Sequence, residues 1–350
     1  MTTASRRSIF AVMAKRQTKA FPVPDQVALL LQGGGALGSF QAGVFAELSQ
    51  YDIAIDWVAG ISIGAINAAL IAGNPRGRRR AALRTFWDKV SAGLPAFAPP
   101  PDRELREAAH VMAAGAFALW GVPDFFRPRW LPPMFAPSGS DMATSFYDTS
   151  PLRETLNALV DWDLVNTGPV RLSVGAVDVE SGNFVYFDNR EGPWAGRIDA
   201  RHILASGALP PGFPAVEIDG RHYWDGGIVS NTPLQHVLEH QRGDMLVFQV
   251  DLFPAEGRLP RHMSDVISRE KDIRYSSRTR AVTSRKSEAT QRPSSSSISM
   301  GDVETSIQTR SPDGRSTPIS ALRTVSPVRS VSIAGCSEPG HGVPSGWTAR

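Results

Sequence analysis

The chain carries one cysteine, Cys336, in 350 residues. A single thiol excludes an intrachain disulfide framework and any multi-cysteine metal site. No stretch approaches the roughly 20 apolar residues that cross a bilayer. Near the start, Ser8 to Ala14 is a seven-residue apolar run between Arg6-Arg7 and Lys15-Arg16. That is the bottom of the range for a signal peptide, so residues 1–24 read as the mobile leader of a cytoplasmic protein. Charge is scarce too, 20% of residues with a net +3, while 42% are hydrophobic. A chain disordered throughout is excluded, and so is a collagenous one.

The net charge is unevenly placed. Residues 276–350 hold ten Arg/Lys against five Asp/Glu, 18 serines, no Phe or Tyr, and Leu322 as the sole leucine. This segment is net +5, which leaves residues 1–275 at −2. Such a stretch buries too little apolar area to offset its ordering entropy and shows no helical or strand periodicity, so 276–350 reads as a disordered tail. The basic balance belongs to the tail and gives no charge argument for nucleic acid. Nor does any basic face interleaved with aromatics appear.

What is present begins at Val27. Val27 to Leu31 is a short apolar run, as expected of a buried parallel strand. It meets Gln32 and then Gly33-Gly34-Gly35-Ala36-Leu37-Gly38. Phe40, Val44, Phe45 and Leu48 follow at helical spacing on one face. A glycine loop between a strand and a helix N-terminus favours negative charge, because free N–H groups and the helix dipole converge there. Gly33, Gly35 and Gly38 also fit the dinucleotide fingerprint, which needs an acidic residue at the end of the second strand. The candidates Asp52 and Asp56 precede or begin the next run, Trp57-Val58-Ala59, so the second requirement fails.

What ends that run is Gly60-Ile61-Ser62-Ile63-Gly64, with the helix former Ala65 to Ala72 behind it. G-x-S-x-G at a strand-to-helix turn makes the serine an exposed, strained nucleophile over a helix N-terminus. The alternative is a plain glycine turn with Ser62 as N-cap. A nucleophile needs a base. Asp225, in Tyr223-Trp224-Asp225-Gly226-Gly227, closes a short strand and could accept the proton. It is equally a turn former followed by glycine, and spacing alone does not separate the two. Asp178 and Asp251 close other strands and stand as reserve carboxylates. A Ser-Asp-His triad would draw on His222, His236 or His240, which read as ordinary surface or boundary histidines. His236 and His240 lie four apart on one helix, as a metal pair would, with no third ligand evident.

Val170–Val177, Asn183–Phe187 and Met245–Val250 read as further strands, with helices at Pro151–Leu159 and His202–Leu204 between. The alternation predicts an α/β fold, a mostly parallel sheet covered on both faces.

Gly-Gly-Gly-x-x-Gly after a strand, G-x-S-x-G about 25 residues later and a distant Asp-Gly-Gly together resemble the patatin-like phospholipase family, bacterial type, over roughly Val27 to Asp251. Ala205-Ser206-Gly207-Ala208-Leu209-Pro210 ahead of Asp225 resembles the family's approach to its aspartate. The resemblance implies a three-layer fold, domain bounds of 25–275, and hydrolysis of lipid acyl esters with no cofactor and no metal. It implies Ser62 as nucleophile and Asp225 as proton acceptor without a catalytic histidine. Gly33, Gly34, Gly35 and Gly38 become the oxyanion loop, with Gly60, Gly64, Gly226 and Gly227 shaping the motifs. Many members carry Arg or Lys where this chain has Leu37, so a cation near the oxyanion is missing.

A lipid substrate needs an apolar approach. The insertion 103–136 contains the Ala-rich Ala108 to Leu119, then Trp120, Phe125, Phe126, Trp130, Met134 and Phe135 among prolines. It is expected to cap the site or dip peripherally into a membrane surface, against the plainer reading of packed loop aromatics. Arg76-Gly77-Arg78-Arg79-Arg80 reads as a solvated loop that could also meet anionic head groups. Past Arg278 the family-like text turns abruptly to Ser/Arg/Pro-rich sequence, as a truncated or shifted reading frame would produce.

Overall fold

The computed structural model describes residues 24–51, 53–92 and 120–290, together with the segments 307–310, 316–322 and 328–334. Nearly all of the proposed leader, Asp52, Ala108–Leu119 and the remainder of the tail lie outside the described residues.

The chain opens with β1 (Gln26–Leu31), α1 (Gly38–Leu48), β2 (Trp57–Ile61), α2 (Ile63–Ala72) and α3 (Arg79–Ser91). Two short strands follow, β3 (Arg127–Pro128) and β4 (Tyr147–Asp148), with α4 (Asp141–Thr144) between. Then come α5 (Ser150–Leu159), α6 (Trp162–Thr167), β5 (Arg171–Asp178), β6 (Phe184–Asp188) and α7 (Ala200–Ser206). The body ends with β7 (Val216–Ile218), β8 (Arg221–Asp225), α8 (Leu234–His240), β9 (Met245–Asp251) and α9 (Met263–Thr290).

β9, β1, β2 and β5 lie side by side in parallel, and β8, β7 and β6 join antiparallel through β5 and β8. Successive side chains of a strand point to opposite faces. Leu29, Leu31, Val58, Leu172 and Val174 therefore pack with α1, α2, α3, α5 and α7, while Ala28, Leu30, Ala59 and Val247 pack with Leu234 and Val237 of α8. The result is a mixed α/β fold with a mostly parallel central sheet and helices on both faces. All ten residues of α2 are buried, which explains a helix apolar all round. Each fully buried Ile or Leu there contributes about 1.5–3 kcal/mol.

Two expectations are revised. Phe40 is 38% exposed, and the buried face of α1 is Gly38, Gln41, Ala42 and Phe45. A buried glutamine replaces an apolar residue there because it bonds Gln32 O and Asn67 across the site (below). In the tail, where no strand periodicity was legible, α9 continues to Thr290, and β10 (Ile307–Arg310), β11 (Ser316–Leu322) and β12 (Val328–Ala334) extend the sheet. β12 runs parallel to β9, from Val328 beside Met245 to Ala334 beside Asp251. Ladder bonds are made by backbone, so polar segments can form them.

Candidate active site

β5 positions two elements end to end. Its residues 171–175 pair with β2, ending at Ile61 beside Gly175, and its residues 176–178 pair with β8, starting at Asp225 beside Ala176. β6 pairs with 173–177 and so occupies the other edge of β5. Ser62 leaves β2 where β8 delivers Asp225.

Ser62 turns with φ 55° and ψ −124°, a conformation sparsely populated by residues with a side chain. The turn is tight enough that a Cβ on Gly64 would overlap Leu31 O, and one on Gly60 would overlap Gly64 O. Ser62 occupies the N-cap position of α2 but makes no side-chain cap bond. Its side chain instead lies near the Asp225 carboxylate, whose charged form it favours. Asp225 is 2% exposed, and Oδ1 accepts from Gly227 N–H at 2.7 Å. Burial pushes its carboxyl up to about 6 even though the Ser62 side chain and the Gly227 bond pull it down. Asp225 forms the Asp-Gly-Gly turn and lies at the end of the strand beside Ser62. Gly226 lets this turn lie against Gly175 O.

The glycine loop lies beside this pair. Gly33 packs against Ser62, and Gly38 against Ile63. Their N–H groups are already engaged: Gly33 donates to Asn231 O at 3.3 Å, and Gly38 to Ala36 O and Gly35 O. Among the described residues, the N–H groups of Gly34 and Gly35 donate to no acceptor. Gly35 has φ +59°, which glycine adopts without strain. Of the four glycines expected to supply oxyanion donors, two have free amides and two supply space. Leu37 is exposed.

Several buried polar residues hold this arrangement, and motif reading did not find them. Asn231 Nδ2 donates to Gly33 O at 2.9 Å. Gln32 Nε2 donates to Thr232 Oγ1 at 3.2 Å, and its Oε1 accepts from Leu252 N–H at 2.6 Å. Gln41 Nε2 donates to Gln32 O at 2.7 Å, while Asn67 Nδ2 donates to Gly38 O and Gln41 Oε1, both at 2.9 Å. Trp87 Nε1–H donates to Asn67 Oδ1 at 3.1 Å. Buried amides need partners, and here the partners are the loop's own carbonyls. The one available signal was polar residues at apolar-patterned positions, such as Gln41.

The other candidates lie elsewhere. His236 Nε2 is 3.5 Å from Asp188 Oδ2, stacks on Tyr186 at 3.9 Å, and meets the edge of Trp57. Trp57 begins β2, five residues before Ser62, roughly 16 Å along a strand. His240 Nδ1 contacts His236 O. His222 is exposed, in an open pocket of about 540 Å³ shared with Arg129, Arg153 and Arg201. Asp178 accepts from Ser181 N–H and pairs with Arg221 at 2.6 Å, which hold it down at about 2. Asp251 accepts from Gln249 and is pushed up to about 6 by burial, on the opposite sheet face from α2. Asp56 accepts from Val27 N–H at 2.8 Å, at the far end of β1 from the glycine loop, and so cannot serve a nucleotide ribose there. Arg76 and Arg79 donate to the carbonyls of Ile53 and Asn74, beyond the end of α2 remote from Ser62. Among the described residues, no group of three His, Cys, Asp or Glu is placed to hold a metal ion, and no helix is long and apolar enough to cross a membrane.

No curated protein matches the chain. Among solved structures it is similar to VipD from Legionella pneumophila, at 15% identity and a TM-score of 0.35, with 67% of this chain and 51% of that one covered. It is also similar to a chain of the heterodimeric ExoU–SpcU complex from the type III secretion system of Pseudomonas aeruginosa, at 17% identity and a TM-score of 0.32, covering 75% and 52%. The chain thus spans about half the length of these proteins, and likeness this distant carries no argument about the site. The Patatin-like phospholipase model matches residues 29–238, more than half of the chain and all of the site from Gly33 to Asp225: the chain belongs to the patatin-like phospholipase family.

Proposed function

We propose that the protein is a serine acyl hydrolase of lipid esters, working through Ser62 and Asp225. The observation that carries this is the placement of Ser62, at the end of β2, beside a buried Asp225 whose carboxyl is raised to about 6. An aspartate near its ordinary pKa of about 3.9 is a weak base, and a raised one is better matched to neutral pH.

In the first half-reaction Asp225 takes the Ser62 proton as Oγ bonds to the ester carbonyl carbon. The tetrahedral oxyanion is held by the amides of Gly34 and Gly35 and by the N-terminus of α2. Collapse breaks the C–O bond, and protonated Asp225 returns the proton to the leaving alcohol. Water then attacks the acyl-serine, giving its proton to Asp225, and the fatty acid leaves as the proton returns to Ser62. Leu37 adds no charge, so oxyanion stabilisation rests on backbone dipoles alone.

The natural substrate on this reading is a lipid or phospholipid presented at a membrane surface. Trp130 is 83% and Phe135 73% exposed, with Trp120 and Met134 also outward. Phe125 and Phe126, in contrast, pack with Phe86, Tyr147 and Phe213 at centroid distances of 4.8–6.4 Å, so these two are anchors and not part of an outward face. The β3–β4 segment connects to the site through backbone bonds: Arg129 N–H to Phe146 O, Phe146 N–H to Pro211 O, and Asp225 N–H to Ala208 O.

The test is labelling with a fluorophosphonate probe, with Ser62→Ala as control. Labelling of the wild type and its loss in Ser62→Ala are expected, alongside release of fatty acid from a phosphatidylcholine substrate. A wild type that takes no probe overturns the reading.

A further inference from the structure

The elbow leaves one backbone donor without a partner from regular structure. Ser62 N–H lies past the last ladder position of β2 and ahead of the first intrahelical bond of α2. A buried, unpaired N–H is costly. Its partner is a side chain 144 residues away: Ser206 Oγ accepts it at 3.0 Å. The same hydroxyl donates to Gly175 O at 2.6 Å, and Ser206 is fully buried. Gly175 is the β5 residue beside Ile61, and the next residue, Ala176, is beside Asp225.

We propose that Ser206 is a positioning residue for the nucleophile, its hydroxyl fixing the Ser62 amide to β5, the strand against which β8 holds Asp225. This rests on the reading of Ser62 and Asp225 as the reacting pair. One hydroxyl uses both its donor and an acceptor lone pair to lock the elbow against β5, so the register of the serine follows that of the aspartate. It also withdraws Ser62 N–H from any oxyanion, which leaves that task to Gly34, Gly35 and the start of α2. Without the hydroxyl two buried groups lose their partner, the strained turn can relax, and Ser62 Oγ drifts from Asp225. A misplacement of about 1 Å at reacting groups costs about a hundredfold in rate.

The experiment compares Ser206→Ala, Ser206→Cys and Ser206→Thr with the wild type. Three readings are taken: amide hydrogen exchange in the peptide containing Ser62, the rate of fluorophosphonate labelling, and kcat and KM on a soluble p-nitrophenyl ester. Ser206→Cys keeps the side-chain volume without a strong hydroxyl, and Ser206→Thr keeps the hydroxyl. We expect Ala and Cys variants with exchange at Ser62 at least tenfold faster and labelling and kcat down 10- to 100-fold at unchanged KM, with Thr restoring both. Unchanged exchange at Ser62 in the folded Cys variant overturns the proposal, as does a loss of activity no greater than the loss of folded protein. A wild type that takes no probe refutes Ser62 as nucleophile instead, while the exchange measurement still decides whether Ser206 holds its amide.

Discussion

Ser62 and Asp225, 163 residues apart in sequence, are brought together because β5 holds their strands end to end on one edge, Ile61 beside Gly175 and Asp225 beside Ala176. Neither side chain reaches across a gap; each arrives at the end of a strand whose register is set by backbone pairing.

The raised Asp225 carboxyl makes opposite demands on activity and stability. Activity should rise with pH through about 6 as the base ionises. Between about pH 4 and pH 6 the native state keeps a proton that the unfolded chain has released, so stability falls as pH rises through that window. Above it the ionised, buried carboxylate costs about 3 kcal/mol. Asp225→Asn should therefore abolish ester hydrolysis while matching or exceeding the wild-type Tm at pH 8, and the Tm advantage should vanish at pH 4. A Tm deficit at pH 8 would contradict the burial argument.

Glycine substitutions should separate space from conformation. Gly64→Ala forces a Cβ onto Leu31 O, backbone against backbone, and should cost more than 2 kcal/mol and unseat the elbow. Gly35→Ala meets nothing within 4 Å but requires φ +59°, a penalty of about 1 kcal/mol. Urea titrations of the two variants rank them, and the order should be Gly64 far above Gly35.

The histidines should prove structural. His236→Ala removes a partner of Asp188, an aspartate that burial would raise but that His236, Ser173 and Arg171 hold down at about 2. It should lower Tm by several degrees and leave kcat per folded molecule unchanged. His222→Ala should change neither. Abolished hydrolysis in either variant, with activity retained in Asp225→Ala, would replace the dyad by a histidine-based site.

The outward aromatics should matter only at an interface. Trp130→Ser with Phe135→Ser should lower hydrolysis of phosphatidylcholine vesicles about tenfold and reduce vesicle co-sedimentation, with hydrolysis of p-nitrophenyl butyrate unchanged. Equal loss on both substrates would assign these residues to folding.

Among the described residues, those that hydrogen-bond to or pack against Ser62, Asp225 or the glycine loop lie before Ser276. Removing the chain after Ser284 should therefore retain labelling and hydrolysis. Loss of folding on that truncation would show that β9 needs β12 along its edge.

Local signals were legible where the chemistry is local. Gly60-Ile61-Ser62-Ile63-Gly64 announces an elbow because its glycines and its flanking strand and helix are contiguous, and the helices at Pro151–Leu159 and Leu234–His240 follow from spacing. Ser206, Asn231 and Gln32 were not legible as site residues, since each acts on a partner 144, 198 and 200 residues distant. Phe40 misled because apolar periodicity does not reveal that a glutamine, donating to Gln32 O and accepting from Asn67 Nδ2, takes the buried place on α1.

By itself the sequence determined the α/β alternation, the glycine loop, the serine elbow and the Asp-Gly-Gly turn, because propensity, period and the absence of a Cβ act over a few residues. Which carboxylate meets the serine was decided only by tertiary structure. Asp178, Asp225 and Asp251 all end strands, and the sheet order alone gives Asp225 the edge position beyond Ile61. Burial there, against the hydrogen bond from Gly227 and the nearby Ser62 side chain, then sets its proton affinity.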